Sequence, residues 1–436
     1  MFSYYLKIAW FSILRHWGLS ILMISAIGLG IGAAMTTITV NYLMSANPIP
    51  HKSNQLYYVQ LDSWDVNTPF DEDKNPPDHM TYTDATNLMK AKKAFRQSIH
   101  VQATTVIESN DPDQLPFTAE GMANSADFFA MFDVPFIYGG GWSEQTDNNK
   151  ELVVVLNKAT NDRLFAGKNS VTKTVKIDGH LFKVLGVIDV WEPKPRYYDV
   201  IGGAFNKSAD IFVPFSLIAE EIITKSGSVR CWKSYGDGLA NYLASECTWT
   251  NFWIELKTKQ DKQDYLTFLN AYVEQQKQYG RLLRPLNNRL SNVMQWLESQ
   301  EVVTNDNKMI LAMSLMFFIV CLLNTVGLLL AKFLGKSQEI GLRQALGASK
   351  ATLFAQYIIE SACIGLAGGL LGIILAYLGL KSVESLYGDE MQGLASLDLS
   401  MITLAITMSL VATVLAGLYP TWKACNIQPA LQLKSQ

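Results

Sequence analysis

The sequence predicts an α-helical membrane protein with four transmembrane helices and a large α+β domain between the first and the second. Four long apolar runs lie in the 436-residue chain, one near its start and three in its last third. A mostly polar block separates the first run from the second, and it mixes strand-like alternation with helical periodicity. Lysine and arginine lie beside the runs in a pattern that places this block on the outer side of the membrane.

The four apolar runs are each long enough to cross a hydrocarbon core of about 30 Å as a helix. None contains Asp, Glu, Lys or Arg, although Glu360 directly precedes the third. The first run is too long for the apolar stretch of about 7 to 15 residues in a signal peptide, so we expect it to remain as an anchor. Buried helices of a soluble protein rarely supply four such stretches. The runs are Leu19–Leu43, Met309–Ala331, Ser361–Leu380 and Leu399–Trp422.

The distribution of Lys and Arg predicts that both ends of the chain are cytoplasmic and that the polar block is outside. We therefore expect an N-terminal amphipathic helix with the first transmembrane helix in residues 1–44, and an outer α+β domain with stalk helices in 45–307. Residues 308–436 supply the other three transmembrane helices, a cytoplasmic loop at 332–352 and a cytoplasmic tail. The basic residues on the inner side are Lys7, Arg15, Lys332, Lys336, Arg343, Lys350, Lys423 and Lys434, and the outer loop after the third run carries Lys381 against Glu384, Asp389, Glu390 and Asp398.

Composition and cysteine positions add weaker constraints. A formal net charge of -3 gives no reason to expect a nucleic-acid partner. Cys231 and Cys247 fall in the outer block, where disulfides persist, so we expect a bridge between them, with two free thiols as the alternative. The other cysteines lie in or at the end of apolar runs, where small apolar packing is their expected role, and they are Cys321, Cys363 and Cys425.

The outer block shows a hairpin signal and several helical patterns. Two alternating runs within Val175–Val187 flank Asp178-Gly179, a dipeptide that suits a type I′ turn because both central residues need positive φ. Long amphipathic helices are expected at Lys262–Gln278 and Leu286–Val303, the second running almost directly into the second transmembrane helix. Strands are expected at Leu56–Leu61, Leu152–Leu156 and Asn251–Leu256, and helices at Thr83–Ala94 and from Leu156 through Phe165.

No catalytic, metal-binding or cofactor motif is present in a specific form. Gly335-Lys336-Ser337 resembles the end of a phosphate-binding loop, but Leu330 occupies the position that needs glycine, so we expect no ATPase domain in this chain. The histidines lack ligand spacing, and no bound cofactor or metal is expected. Glu360, at the cytoplasmic end of the third run, is either functional or an interfacial carboxylate near Lys350, and the second interpretation is favoured.

Glycine pairs spaced by four residues occur in the first and third runs. Such spacing lets helix backbones approach closely, within the chain or across a dimer, although glycine is also common in membrane helices generally. The pairs are Gly28 with Gly32, Gly365 with Gly369, and Gly368 with Gly372.

The segment Glu339–Ala348 (EIGLRQALGA), followed by the third run, resembles the cytoplasmic loop of FtsX-like and MacB-type ABC transporter permeases. The outer block is similar to the MacB-type periplasmic core, and the match departs at Ser170–Lys173, where that family usually has a Pro-Val-Gly-Lys type turn. Residues 189–249 show no pattern that can be placed. Further matching motifs, in the family's order, are Ala126–Phe129, Gly139–Trp142, Leu152–Leu156, Phe182–Val187, Val213-Pro214, Tyr419-Pro420 and Pro429–Leu431.

The resemblance implies a permease subunit of the bacterial inner membrane that works as a homodimer or with a related permease. ATP and Mg would be bound by a separate ATPase subunit, and a periplasmic adaptor and outer-membrane channel are possible further partners. The leading function is efflux or extraction of a peptide, antibiotic or lipid-like substrate. A mechanotransmitting regulatory or sensory module that controls a periplasmic partner is the alternative. The residues expected to couple the chain to the ATPase are Glu339, Gly341, Leu342, Arg343, Ala345, Gly347 and Ala348.

Overall fold

The structure is a computed structural model that describes residues 2–108, 115–303, 305–387 and 399–426. It divides the chain into two compact units. The helical unit contains the first 45 residues together with residues from 303 onward, and the α+β unit spans Ala46–Val302. The tail motif Pro429–Leu431, Lys434 and the acidic loop residues Asp389, Glu390 and Asp398 lie outside the described residues.

The described residues form helices and strands in the following order. The helices are α1 (Phe2–Arg15), α2 (Trp17–Ser45), α3 (Tyr82–Ala91), α4 (Phe128–Met131), α5 (Glu144–Asn148), α6 (Lys158–Phe165), α7 (Leu239–Leu243), α8 (Lys259–Gln278), α9 (Val293–Ser299), α10 (Asn305–Leu334), α11 (Ser337–Ala345), α12 (Lys350–Tyr387) and α13 (Leu399–Cys425). The strands are β1 (Leu56–Gln60), β2 (Met80–Thr81), β3 (Arg96–Glu108), β4 (Phe117–Asn124), β5 (Phe136–Gly139), β6 (Val153–Leu156), β7 (Thr174–Ile177), β8 (His180–Ile188), β9 (Ile211–Pro214), β10 (Thr248–Glu255) and β11 (Arg289–Asn292).

Four helices of the helical unit, α2, α10, α12 and α13, are long and apolar enough to cross a membrane, which confirms the four predicted spans. The glycine pairs lie where these helices pack. A Cβ added at Gly28 would lie 2.8 Å from the side chain of Leu371, and one at Gly32 would lie 2.7 Å from Leu375. The contacts are within the chain, between α2 and α12 and between α12 and α13. The remaining glycines of the predicted pairs also have close neighbours, with Gly368 and Gly372 against α2 and Gly365 and Gly369 against α13.

The α+β unit is built on one mixed sheet with hydrophobic clusters on both faces. The strand order is β11-β1-β10-β3-β4-β9-β6-β8-β5, with β2 beside β10, and with β7 paired to β3 and β8. Side chains alternate between the faces, so Tyr57 joins the cluster under α3 and α8 while Tyr58 joins an aromatic cluster with Trp253 and Trp296. The predicted α+β class is confirmed.

The predicted hairpin is present as β7 and β8. Asp178 and Gly179 form its turn with φ of 46° and 83°, as a type I′ turn requires. The departure from the family pattern just before this hairpin is also accommodated. Thr172 has φ of 74°, the left-handed conformation that glycine adopts without strain, so this chain keeps the turn with a β-branched residue in it.

The long stalk helix expected at Leu286–Val303 is wrong. The segment forms strand β11, which pairs with β1 at the edge of the sheet, and then the short helix α9. Asn292 begins α9 with a capping box to Gln295, and a left-handed Glu301 follows its end. The apolar residues of this segment are divided between the strand and the short helix. Leu290 in β11 packs into one hydrophobic cluster, and Trp296 in α9 packs into the other. Among the described residues, α9 ends at Ser299 and α10 begins at Asn305, so the two are separate helices.

The segment that sequence patterns left unplaced, residues 189–249, supplies a central strand and a disulfide. Its strand β9 lies between β4 and β6 in the sheet. Arg196 and Asp199 form a buried ion pair with N and O atoms 3.2 Å apart. The structure joins Cys231 and Cys247 by a disulfide. This segment is therefore part of the folded core.

A second charged cluster fastens the segment after α8 to the sheet. Arg281 lies 2.9 Å from a carboxylate oxygen of Asp84 and 2.6 Å from one of Glu246. Asp84 is fully buried, and its two oxygens also accept hydrogen bonds from the hydroxyls of Tyr272 and Thr81, each at 2.6 Å. Every oxygen of the buried carboxylate is thus satisfied.

Candidate coupling site

Helix α11 is the short helix between the second and third membrane-spanning helices. Helix α10 ends at Leu334 and α12 begins at Lys350, so short connections join α11 to both. Ile340 is 1% exposed and lies in the hydrophobic cluster that contains Phe333 and Tyr357. Gln344 donates a hydrogen bond of 3.1 Å to the backbone carbonyl of Cys425, at the end of α13. One face of α11 is therefore held firmly against the helical unit.

Arg343 is part of that anchoring. Its guanidinium pairs with Glu339 one turn earlier on α11 and donates a 3.1 Å hydrogen bond to Gln356 of α12. The side chain is 34% exposed. Because both ends of the guanidinium fork have partners inside the chain, Arg343 positions α11 against α12, and only part of its charge faces outward.

The opposite face of α11 carries exposed apolar side chains. Leu342 is 61% exposed and Leu346, one turn later, is 79% exposed. Gly347 follows with φ of 96°, a left-handed residue that ends the helix and reverses the chain direction. Small residues beside the two leucines leave the backbone open to close approach. Of the predicted coupling residues, Leu342, Ala345 and Gly347 are exposed, whereas Glu339, Gly341, Arg343 and Ala348 are partly buried.

A buried ion-pair cluster lies directly behind α11. Glu360 of α12 is fully buried, and its Oε1 lies 2.8 Å from the Nζ of Lys332 and 3.5 Å from that of Lys336. The hydroxyl of Ser12 on α1 donates to the same carboxylate and accepts from Lys336. Lys332 also donates a 3.1 Å hydrogen bond to Ser20 of α2. The cluster thus connects α1, α2, α10 and α12.

The expectation that Glu360 lies near Lys350 is wrong. Lys350 donates to Asn426, and the partners of Glu360 are Lys332 and Lys336. The helices around it explain the difference, because α10 and α12 bring residues distant in sequence to the same depth. Two lysines against one carboxylate leave an excess of positive charge, and the second oxygen of Glu360 has no hydrogen-bond partner among the described residues.

The described part of the α+β unit contains a cavity with acidic residues in its lining. Among the described residues no group of three or more His, Cys, Asp or Glu is arranged to hold a metal ion. A 220 Å³ cavity beside β3 is lined in part by Asp127, Glu144 and Asp147. Burial raises the pKa of the Asp127 and Asp147 carboxyls, although both accept backbone hydrogen bonds. We assign no reaction to this cavity.

Sequence reasoning missed several contributors to the site. Leu346 follows Leu342 by four residues in the loop between the second and third apolar runs, and that spacing of apolar residues was the available signal. Lys332 and Lys336 contributed to the predicted orientation, and Lys336 also to the incomplete phosphate-binding motif, but neither was predicted as a partner of Glu360. Ser12 had no signal in the sequence. Their roles depend on which helices pack together, which the local pattern does not encode.

Comparison with known proteins agrees with this architecture. The family model described as MacB-like periplasmic core domain matches residues 20–264, more than half of the chain, and the one described as FtsX-like permease C-terminal matches residues 311–429. The macrolide export ATP-binding/permease protein MacB of Syntrophobacter fumaroxidans is 23% identical over 342 residues, covering 70% of this chain and 46% of that protein.

Two further proteins are similar to this chain. The pyoverdine export ATP-binding/permease protein PvdT of Pseudomonas syringae pv. syringae is 24% identical over 323 residues, covering 72% of this chain and 42% of that protein. The chain spans less than half the length of these two curated relatives. The crystal structure of the periplasmic region of MacB from Actinobacillus actinomycetemcomitans is 14% identical, covers 59% of this chain and 97% of that one, and aligns with a TM-score of 0.38. By its two family matches, the chain belongs to the MacB-like family of ABC transporter permeases with an FtsX-like C-terminal region.

Proposed function

We propose that the chain is the permease subunit of an ABC transporter that couples ATP hydrolysis by a separate subunit to efflux or extraction of a substrate. The substrate class is a peptide, antibiotic or lipid-like molecule. The curated relatives are named for macrolide and pyoverdine export, which supports an export function. The protein acts in the bacterial inner membrane as a homodimer or with a related permease, and its termini are cytoplasmic. A periplasmic adaptor and an outer-membrane channel would complete the export path.

The observation that carries this proposal is the exposed apolar face of α11. Leu342 and Leu346 are 61% and 79% exposed in a segment that has charged and polar neighbours. Two leucines one turn apart on a short helix suit insertion into an apolar groove of a partner protein. Burying both on docking would contribute roughly 3 kcal/mol or more, enough to hold a subunit interface together with its polar rim.

The anchoring of α11 explains how docking would be transmitted. Ile340, Arg343 and Gln344 tie α11 to the three helices α10, α12 and α13. A displacement of α11 by the ATPase therefore cannot occur without moving the cytoplasmic ends of those helices. The ion-pair cluster around Glu360 extends the connection to α1 and α2.

The proposal is tested by replacing Leu342 and Leu346 with aspartate in the full chain. We expect association with the ATPase subunit to weaken at least about 30-fold, which corresponds to about 2 kcal/mol. The reason is that two carboxylates replace apolar side chains whose burial would contribute roughly 3 kcal/mol or more. Association is measured by co-purification and by titration of the ATPase in nanodiscs. ATP hydrolysis stimulated by the chain should fall with it.

The matched control is Leu181→Asp, because Leu181 in β8 is also 61% exposed but lies in the α+β unit. It should leave association at the wild-type level. Equal association of the double aspartate variant and the control would show that α11 is not the coupling element. If association holds but ATP-dependent export of macrolides, peptides and lipids from loaded vesicles is absent, the regulatory alternative would replace transport.

The substitution Arg343→Glu is a second test of α11 as the coupling helix. It would place two carboxylates one turn apart and remove the hydrogen bond to Gln356, so it should loosen α11 from α12 as well as change its outer charge. We expect weaker association here too, with more local unfolding than in the leucine variants.

A further inference from the structure

Helix α10 is the least enclosed of the four membrane-spanning helices. Within its apolar window 17% of residues are buried, compared with 44%, 39% and 28% for α2, α12 and α13. Its buried side packs on α2 and α13, and the opposite side is open. Large apolar residues on this open side are Met313 at 65%, Phe317 at 47% and Val320 at 53% exposure.

Asn324 lies on this open side, in the middle of the apolar helix. It follows Phe317 and Val320 by seven and four residues, so the three side chains share one stripe of the helix. Asn324 is exposed, and it lies about 6 Å along the helix from the centre of the uncharged stretch Met309–Ala331. Gly327, one turn later, has open space where a Cβ would be.

The other polar side chains of this stretch have partners. The hydroxyl of Ser314 bonds that of Thr37 at 2.5 Å, and Thr325 donates to the carbonyl of Cys321 at 2.8 Å. Asn324 makes no hydrogen bond to any residue that the structure describes. A short amide side chain at this depth cannot reach the polar headgroups, and hydrocarbon supplies no hydrogen bonds. The exposed amide therefore calls for a partner within the membrane.

We propose that the Met313–Gly327 stripe of α10 is the interface with a second copy of this chain, in which Asn324 pairs with Asn324 of the partner subunit. The proposed interface rests on the proposed function, because it would form the dimer in which the proposed permease acts. Two copies insert in the same orientation, so a twofold axis along the membrane normal brings the same residue of each copy to the same depth. An amide is both donor and acceptor, and can satisfy an identical amide across the axis. Gly327 lets the two helices approach closely.

Cysteine cross-linking in native membranes tests the interface. The full chain is used with Cys321, Cys363 and Cys425 replaced by alanine and the Cys231–Cys247 pair retained. Single cysteines are introduced by Phe317→Cys, Val320→Cys or Asn324→Cys. Ile319→Cys is the control, because Ile319 is 54% exposed, like Val320, but points about 140° away from Asn324 around the helix.

On oxidation we expect disulfide-linked dimers of this chain at 317, 320 and 324, at least tenfold more than at 319. Equal or greater linkage at 319 would overturn the proposal. Absence of linkage at all three stripe positions would mean that the face meets lipid, and would also overturn it. Linkage to a chain of different mass would assign the face to a related permease in place of a second copy.

The role of the amide is tested separately with Asn324→Leu, which makes α10 more apolar and so favours its insertion. Interhelical hydrogen bonds in membranes are modest, so the fraction linked through Val320→Cys should fall about threefold to tenfold on dilution into liposomes. An unchanged fraction would refute the amide pairing. If linkage fails while ATPase association through Leu342 and Leu346 persists, the interface is wrong and the proposed function stands.

Discussion

Two clusters of buried charge, one in each unit, satisfy their carboxylates to different extents. In the α+β unit, Arg281 meets Asp84, whose oxygens also accept from Tyr272 and Thr81. In the helical unit, Glu360 shares one oxygen among its partners, and the other has none among the described residues. A fully satisfied cluster holds one arrangement firmly. A partly satisfied one has more to gain from rearranging, which suits the unit that we propose to move.

The largest expected effect comes from removing the carboxylate of the helical cluster. Glu360→Leu leaves Lys332, fully buried, and Lys336 without their anionic partner. Breaking a buried pair in this way typically costs about 3 to 5 kcal/mol, and we expect the upper end here. Thermal unfolding of the chain in detergent measures the loss.

Its control is the double variant Lys332→Met with Glu360→Leu, which removes the closest pair together. We expect this variant to be more stable than Glu360→Leu alone, since no uncompensated charge of Lys332 remains buried. If Glu360→Leu unfolds at the wild-type temperature, the buried pair contributes nothing to the helical unit.

A smaller effect is expected from the satisfied cluster. Arg281→Met leaves Asp84 fully buried with its two hydroxyl donors, and the side chain of Arg281 is itself 19% exposed. We therefore expect a loss near the lower end of the same range, about 3 kcal/mol. Hydrogen exchange of the α+β unit in the full chain reports it.

Lys277→Met is the comparison, because Lys277 also forms an ion pair near the end of α8, but its carboxylate partner Glu274 is 55% exposed. Surface pairs contribute roughly 0 to 1 kcal/mol, so exchange should change little. Equal effects of the two substitutions would remove the distinction between a buried and a solvated cluster in this unit.

The smallest expected effect is a pH dependence confined to the α+β unit. His100 is fully buried, and burial lowers its pKa to about 4. An unfolded histidine has a pKa near 6.5, so the unfolded state binds more protons between these values. The contribution of His100 to the free energy of unfolding is therefore fully present above about pH 6.5 and is lost as the pH drops towards 4. At pH 4.5 the loss from this group is about 2 kcal/mol.

Unfolding of the α+β unit measured from pH 7.5 to 4.5 should show this slope. His100→Gln should reduce the slope by about half, because His79 is also buried and burial lowers its pKa to about 4 as well. His180→Gln, at an exposed position in β8, is the control and should retain the wild-type slope. A slope that is unchanged in His100→Gln would mean that His100 is already charged in the folded protein.

Local patterns predicted much of the fold because their cause is local. The hairpin follows from Asp178-Gly179, whose turn conformation depends on those two residues. The stalk helix failed because Leu286–Val303 has helical spacing but pairs with β1, and edge pairing is decided by a strand more than 200 residues earlier. In the candidate site, Leu342 was found from its motif. Leu346 lies in the same motif but was not among the residues that the resemblance implied.

The sequence by itself determined the four spans, the mixed class of the intervening domain and the family. Each of these depends on hydrophobic periodicity or on a contiguous motif. Both can be recognised in the sequence without knowing which residues are in contact in the folded protein. Only the tertiary structure decided the partners of Glu360, the anchoring of Arg343 and the open face that carries Asn324. Those depend on which helices pack side by side, and residues such as Ser12 and Glu360 meet across 348 positions of sequence separation. The charge or polarity of a residue can be read from the sequence, whereas its hydrogen-bond and ion-pair partners depend on the whole fold.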